Sequence, residues 1–215
     1  VNIEYMFTRK QVFEGAGNES LFLWGARQTG KSTLLKSLFP NAIWFDLLKS
    51  EVYRRYQANP AQFRETILAS ETNNIVIVDE IQKIPELLDE IHWLIVNHPI
   101  QFILSGSSPR KIIRVGSNLL GGRALRYELY PLLQSEIPEF DLIKALNNGL
   151  LPRHYLSDNP KKLIDAYIGN YLKDEIIAEA KIRNINAFTQ FLEAAAFSNG
   201  EMVNYTNIAT ECGVS

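Results

Sequence analysis

Residues 25–32 carry two glycines, a lysine and a serine in the pattern G-x-x-x-x-G-K-S. Glycines let the backbone curl so that successive N–H groups point at phosphate oxygens. Lys31 can reach the same oxygens, and the Ser32 hydroxyl can hold Mg²⁺. The pattern therefore predicts a nucleotide-binding loop, and the alternative is an ordinary glycine turn. The predicted loop and the start of the helix after it comprise Gly25, Ala26, Arg27, Gln28, Thr29, Gly30, Lys31, Ser32 and Thr33.

Two adjacent acids, Asp79 and Glu80, directly follow the apolar run 75–78. A strand that ends in aspartate places the carboxylate at the carboxyl edge of a parallel sheet, where ligands bind. We expect Asp79 to lie near the metal, through water, and Glu80 to polarise an attacking water. Taken alone the pair would be a solvated strand end, but it follows Ser32 by 47 residues on the required strand. Two acids favour hydrolysis over a mere switch.

Short apolar runs alternate with helical patterns over the first 130 residues, which predicts a parallel sheet flanked by helices. Four β-branched residues at 75–78 are typical of a strand buried on both faces. Helices are predicted to begin at Lys31 and Glu51, the latter interrupted at Asn59-Pro60, and a third to begin at Pro85. Trp24, Trp44 and Trp93 are predicted to pack in the core. The remaining predicted strands are 21–24, 42–45, 102–104 and 124–129, and further predicted helices are 161–180 and 187–198.

Composition excludes several classes of protein. The chain has 215 residues and a net charge of -2, so it lacks the basic excess of a nucleic-acid-binding domain. The apolar runs are too short for a transmembrane helix, and the single cysteine, Cys212, cannot form an internal disulfide. His92, His98 and His154 have no metal-ligand spacing, and the pair Glu175 and Glu179 is more simply a solvated helix face. We therefore expect a soluble, cytoplasmic protein.

Four segments together resemble the AAA-type P-loop ATPases: residues 25–32, 75–80, 102–108 and 120–123. The sequence is more narrowly similar to a prokaryotic group in which a winged-helix segment and a C-terminal domain of unknown function follow the ATPase module. The resemblance covers residues 20–133 well and the rest loosely. It implies a five-stranded parallel sheet, ATP or ADP as the nucleotide, an ATPase core at residues 1–133 and a helical region at 134–215.

Two further site residues are implied by the resemblance alone. The fourth strand ends in the family's polar sensor, which matches Ser105, with Ser107 and Ser108 as alternatives. Arg123 stands where AAA-type ATPases carry the arginine that completes a neighbour's site, which implies an oligomer of identical subunits. The alternatives are a plain serine turn and a surface arginine paired with a nearby acid.

The C-terminal residues 204–215 look like the first helix and turn of a helix-turn-helix, with Ser215 as the N-cap of a next helix. We therefore expect the chain to be a piece of a longer protein that stops within this motif. The alternative is that residues 204–215 simply pack a helical subdomain. Residues 130–215 carry a net charge of -4, so a DNA role for this chain is not supported.

The preferred hypothesis for function is an Mg²⁺-dependent ATPase whose cycle moves an attached C-terminal module. The second is a nucleotide-dependent switch or scaffold that hydrolyses ATP slowly in regulation. The third, a kinase for a small molecule, uses the same loop but is disfavoured by the Asp79-Glu80 pair and by Arg123. The sequence does not indicate which client protein the ATPase would act on.

Overall fold

The computed structural model describes residues 7–70, 74–114, 120–172 and 185–213. The chain divides into two compact units, of which the first ends at Pro160 and the second begins at Lys161. Within the described ranges, every helix is too short or too polar to cross a membrane.

Five parallel strands form one sheet in the order β2-β3-β4-β1-β5, as the sequence predicts. The order places the loop-bearing strand β1 beside β4, and β4 beside β3, so the three predicted site segments meet at one edge. The register pairs Asp79 with Ser105. The strands are β1 (Ser20–Trp24), β2 (Ile43–Asp46), β3 (Ile75–Asp79), β4 (Gln101–Gly106) and β5 (Ala124–Glu128).

The helices of the first unit are separated at the break that the sequence predicts. The break predicted at Asn59-Pro60 separates α2 from α3, because proline has no N–H for the helix ladder. Short 3₁₀ turns occupy Ile81–Lys83, Leu120–Gly122 and Gln134–Glu136. The helices are α1 (Lys31–Leu38), α2 (Ser50–Ala58), α3 (Ala61–Leu68), α4 (Leu87–Asn97), α5 (Arg110–Arg114), α6 (Leu142–Asn148) and α7 (Pro152–Tyr155). A further helix, α8 (Pro160–Ala166), begins at the last residue of this unit and otherwise belongs to the second unit.

The core lies on both faces of the sheet. Alternate residues of a strand point to opposite faces, so Phe22 and Val76 pack with α2, α3 and α4 on one side. Leu21 and Ile77 pack with Leu35 of α1 on the other. All of β3 from Val76 to Val78 is fully buried, which confirms the prediction of a strand covered on both faces.

Trp93 does not pack in the core as predicted. It is 43% exposed on α4, because Ile91 and Leu94 take the inward positions of that turn. The guanidinium of Arg64 lies 5.1 Å from its ring centroid, and Arg64 also pairs with Glu90 at 3.0 Å. The indole is thus part of a surface cation–π contact.

The segment after β5 packs within the first unit. Leu132, Ile137 and Tyr155 form a small separate core, and the Leu132 N–H donates to the Leu150 carbonyl at 2.8 Å. A boundary between residues 133 and 134 stays a prediction.

The described part of the second unit is helical, as predicted. It includes a π-helix at Tyr167–Leu172, α9 (Ile185–Phe197) and α10 (Tyr205–Glu211). The side chain of Asn204 caps α10 by accepting from the Asn207 N–H at 3.1 Å, and Gly213 follows it at φ 62°. The predicted helix 161–180 extends beyond the described residues, and Glu175, Glu179 and Ser215 lie outside them.

Candidate functional site

The loop between β1 and α1 has the backbone that a phosphate cradle needs. Gly30 has φ 92° and Gln28 has φ 64°, and left-handed residues within a turn gather successive N–H groups into one concavity. Gly25 has a second constraint, since a Cβ there would lie 2.4 Å from the carbonyl oxygen of Leu129. Both glycines are therefore required by geometry, and the helix that begins at Lys31 adds its positive end.

Lys31 is more buried than a lysine on an open loop would be. We expect from sequence a solvent-facing side chain, but Lys31 is 6% exposed. Its Nζ donates to the carbonyl oxygens of Gly25 at 2.7 Å and Ala26 at 3.1 Å. A buried ammonium needs acceptors, and the curled loop supplies them from its own backbone.

Asp79 joins the loop to β4 by two hydrogen bonds. Its Oδ2 accepts from Ser32 Oγ at 2.6 Å and its Oδ1 accepts from Ser105 Oγ at 2.5 Å. The register makes this contact possible, because Asp79 of β3 pairs directly with Ser105 of β4. The two alternatives to Ser105 lie elsewhere: Ser107 accepts from Gln82 at 3.2 Å, and Ser108 accepts from the Arg110 N–H at 3.2 Å. Ser105 as the sensor is a prediction that this geometry favours.

Glu80 is buried beside Asp79, at 8% exposure and with a left-handed backbone of φ 62°. Burial raises the pKa of the Glu80 carboxyl above its ordinary value, and the charge of Asp79 adds to the rise. A hydrogen bond from Gln82 and the charges of Lys31 and Arg27 oppose that rise. A carboxylate with a raised pKa is a better proton acceptor.

Lys31, Ser32 and Glu80 line a cavity of about 270 Å³ together with other residues of the loop. A second cavity of about 430 Å³ also borders Gly30 and is bounded by α1, the segment Phe7–Arg9 and the start of α7. Among the described residues, no group of three or more His, Cys, Asp or Glu side chains could hold a metal ion by itself. The smaller cavity is lined by Arg27, Gln28, Gly30, Lys31, Ser32, Thr33, Leu48 and Glu80.

A single family model covers both the loop and the acidic pair. A family model described as AAA domain matches residues 17–138, more than half of the chain. The chain belongs to this AAA domain family. A second model, a domain of unknown function (DUF8612), matches residues 139–215. The AAA part of the predicted resemblance is thereby confirmed, whereas the winged-helix segment stays a prediction.

One solved structure shares the fold of this AAA chain, and a second matches it less well. The Walker-type ATPase PABY2304 of Pyrococcus abyssi matches with a TM-score of 0.53 and 13% identity, over 90% of this chain and 83% of that one. AMPPCP-bound DnaA from Aquifex aeolicus matches with a TM-score of 0.42 and 15% identity, over 94% and 71% of the two chains. At 13% identity, the first likeness shows a shared fold. No curated protein matches the sequence.

Arg123 is not brought to the site of its own chain. It immediately precedes β5, whose first residue Ala124 pairs with Ser20, whereas the phosphate loop follows Trp24 at the other end of β1. Four residue steps separate the two ends, about 13 Å of strand. Arg123 is exposed, and its Nη1 donates to His92 Nε2 on α4 at 3.0 Å.

The first unit also contains a largely buried ion pair that no sequence motif predicts. Arg9 Nε donates to Glu136 Oε2 at 3.0 Å, while its Nη1 donates to the Thr29 carbonyl and its Nη2 to the Tyr130 carbonyl at 2.7 Å. The pair ties the phosphate loop to the segment after β5. No short motif marks these two residues, which are 127 positions apart, although a lone acid in the apolar stretch 129–137 was a weak signal.

Glu136 has the environment of a carboxylate that must stay charged. It also accepts from the Lys10 N–H at 2.6 Å and the Leu133 N–H at 3.0 Å. Burial by itself would raise the pKa of Glu136, but the two N–H donors and Arg9 outweigh it and hold that pKa below its ordinary 4.5. A lowered pKa stabilises the fold above the ordinary value, and this contribution is lost as pH falls through the folded-state value.

Replacing Glu136 with glutamine should lower the free energy of unfolding by about 3 kcal/mol at neutral pH, because Arg9 then stays buried without its counter-charge. The difference from the parent should shrink below pH 4.5, where Glu136 takes up a proton first in the unfolded chain, and should be lost as pH falls through the lower folded-state pKa. Urea unfolding at pH 7 and at acid pH measures both effects. Glu139→Gln, at an exposed glutamate in the same segment, is the matched control. A constant difference across pH would contradict the assignment.

Proposed function

We propose that the chain binds ATP with Mg²⁺ and hydrolyses it, and that hydrolysis changes the conformation of an attached C-terminal module. The observation that carries the proposal is the contact between Ser32 of the loop and Asp79 of β3, with Oγ and Oδ2 at 2.6 Å. Through this contact the loop and the acidic pair lie next to each other, which their spacing in the sequence alone could not establish. The AAA family and the fold shared with a Walker-type ATPase support the same activity.

The phosphates of ATP fit the smaller cavity. Its lining combines the left-handed loop, the start of α1 and Lys31, which can exchange the Gly25 and Ala26 carbonyls for phosphate oxygens. Charged oxygens are stronger acceptors than backbone carbonyls, so the exchange is favourable.

Mg²⁺ fits the donor set at the edge of the sheet. It prefers oxygen ligands and usually takes one or two from protein, with phosphates and waters completing the octahedron. The Ser32 hydroxyl and the Asp79 carboxylate are hard oxygen donors already 2.6 Å apart. When bound, the ion would neutralise charge on the phosphates.

The nucleoside of ATP fits the larger cavity beside Gly30. A volume of about 430 Å³ suits a base and a ribose, and its walls are largely apolar. Phe7 and Pro152 belong to that wall, and Phe7 packs edge-on against Tyr155 of α7 with ring centroids 6.2 Å apart. Nucleotide binding would therefore contact the segment after the sheet, which offers a route to the C-terminal module.

In the chemical step, different residues of this chain have different roles. Glu80 accepts a proton from the attacking water, and Lys31 stabilises the charge that spreads over the γ-phosphoryl oxygens. The hydroxyl of Ser105, now donating to Asp79, can donate to the γ-phosphate or orient the water. Arg123 is proposed to act on a neighbouring subunit's site, because it lies at the other end of the sheet from its own.

The alternative function is a nucleotide-dependent switch with slow hydrolysis. The position of Arg123 favours the switch for a single chain, since Arg123 lies at the opposite end of the sheet from the site of its own chain. Tight ATP binding with negligible phosphate release, unchanged at high protein concentration, would support the switch.

Lys31→Ala tests nucleotide binding directly. We expect ATP binding to be lost, because the phosphates lose their charged partner, and calorimetric titration with ATP and Mg²⁺ measures it. Lys36→Ala removes the same charge from an exposed position on the same helix and should bind ATP like the parent. Circular dichroism must show Lys31→Ala folded, since the variant also loses the bonds to Gly25 and Ala26. Parental affinity in a folded Lys31→Ala would show that the loop does not cradle phosphate.

A further inference from the structure

Gln82 is a buried amide between Glu80 and the end of β4. It lies in the turn Ile81–Lys83 and is 6% exposed. Its Nε2 donates to Glu80 Oε2 and, at 3.2 Å, to Ser107 Oγ. One side chain thus joins the residue after β3 to a residue just after β4. Gln82 does not line either cavity next to the loop.

The space for this amide depends on a glycine. A Cβ at position 106 would lie 2.2 Å from Gln82 Oε1 and 2.7 Å from the Trp24 ring, so a side chain there would displace Gln82. Gly106 directly follows Ser105 on β4. Gln82 Oε1 is buried and has no hydrogen-bond partner among the described residues, which costs stability. The amide is therefore held by its donor end, which faces Glu80 and Ser107.

Glu80 needs such a support more than a surface carboxylate does. Its side chain has three rotatable bonds, and a proton acceptor must lie within hydrogen-bond reach of the water that it deprotonates. The left-handed backbone at φ 62° directs the side chain, and the donor on Oε2 then fixes the carboxylate at one oxygen. With one oxygen held, the range of positions open to the other is reduced as well.

We propose that Gln82 is a positioning residue for Glu80: its amide holds the carboxylate for proton transfer and couples it to the end of β4 through Ser107. The inference rests on the proposed function, in which Glu80 is the base. It adds a residue that makes no contact with the phosphates. Movement of β4, which carries Ser105 and Gly106, would then move the carboxylate together with the sensor hydroxyl.

A double-mutant cycle tests the proposal on the full chain. Gln82→Met keeps the length of the side chain but removes the donor, and turnover should fall on the order of tenfold with the Kd for ATP unchanged. In a Glu80→Gln background the same substitution should change turnover little, since no carboxylate is left to position. A merely structural effect would lower turnover by the same factor in both backgrounds. Gln62→Met, at an exposed glutamine of α3, should leave turnover at the parental value.

A second variant keeps the test valid if Gln82→Met does not fold. Ser107→Ala removes one of the two acceptors of Gln82, so it should lower turnover less, and only when Glu80 is present. Equal factors with and without the Glu80 carboxylate would overturn the role of Gln82 and leave hydrolysis by Glu80 standing. Parental turnover in Glu80→Gln itself would remove Glu80 from the mechanism, and absence of turnover in the parent would overturn the proposed function, so these failures are distinguishable.

Discussion

Glu80→Gln should lower ATP turnover on the order of a hundredfold or more while ATP and Mg²⁺ affinity stay at the parental level. A neutral amide has the size of the carboxylate but cannot accept the proton of the attacking water. The carboxylate is well placed for this task, because it is buried beside Asp79 and also lines the phosphate-sized cavity with Lys31.

Phosphate release under saturating ATP, together with a calorimetric Kd, separates the two effects. Glu86→Gln is the matched control, because Glu86 is an exposed glutamate six residues further along the chain. Glu80→Gln with parental turnover would remove Glu80 from the mechanism. A loss of ATP affinity equal to the loss of turnover would assign Glu80 to binding.

Asp79→Asn should behave differently from Glu80→Gln. Asp79 accepts hydrogen bonds from Ser32 and Ser105 with its two oxygens, and an amide offers only one oxygen and no charge. The variant should therefore need more Mg²⁺ to reach its maximal turnover, which a titration of Mg²⁺ at fixed ATP measures. Identical Mg²⁺ dependence of the two variants would argue against separate metal and base roles.

The sheet could be predicted from sequence because its strands are short, apolar and regularly interrupted. The β-branched run at 75–78 favours a strand buried on both faces, and Pro60 cannot continue α2 because it has no N–H for the helix ladder. Trp93 shows where such reasoning fails. Apolar character predicts burial, but α4 has more large apolar residues than inward positions, and the phase of the helix leaves Trp93 outside.

Only those parts of the site that belong to sequence motifs could be predicted. The loop and the acidic pair have fixed spacings, so sequence identifies them, but it could not separate Ser105 from Ser107 and Ser108 because strand register decides which hydroxyl meets Asp79. For a related reason, the sequence motifs do not predict the roles of Arg9, Glu136 and Gln82. Arg9 meets Glu136 because the segment after β5 returns to the loop. Gln82 has room beside β4 because Gly106 has no side chain. Both are properties of the fold.

Arg123→Ala should remove a rise of turnover with protein concentration while ATP affinity stays nearly unchanged. The guanidinium belongs to a residue that lies far from its own site, since Arg123 precedes β5 at the opposite end of the sheet from the loop. It is exposed, and the turn before it contains Gly121 and Gly122 at φ 58° and 82°, conformations that glycine adopts without strain. Its contact with His92 is an exposed hydrogen bond and therefore cheap to exchange.

The physical reason for a large effect lies in the transition state. Charge spreads over the γ-phosphoryl oxygens, and a guanidinium arriving from a neighbouring subunit can stabilise it with two parallel hydrogen bonds. Such arginines contribute roughly a thousandfold or more to turnover. Turnover per chain should accordingly rise with the concentration of the parent protein, as subunits meet. Arg126→Ala, at an exposed arginine three residues further on, should keep that rise.

A mixture of two inactive variants decides between action within a subunit and action between subunits. Lys31→Ala lacks a working loop but carries Arg123, and Arg123→Ala has a working loop but lacks the finger. When the two are mixed, some interfaces join an intact loop to an intact Arg123, so activity should return. Variants that are folded and shown to associate, yet stay inactive together, would exclude Arg123 as a finger. The same mixture made with Arg123→Ala and Glu80→Gln should also recover activity, because Glu80→Gln retains Arg123 and the Arg123→Ala subunit retains its base.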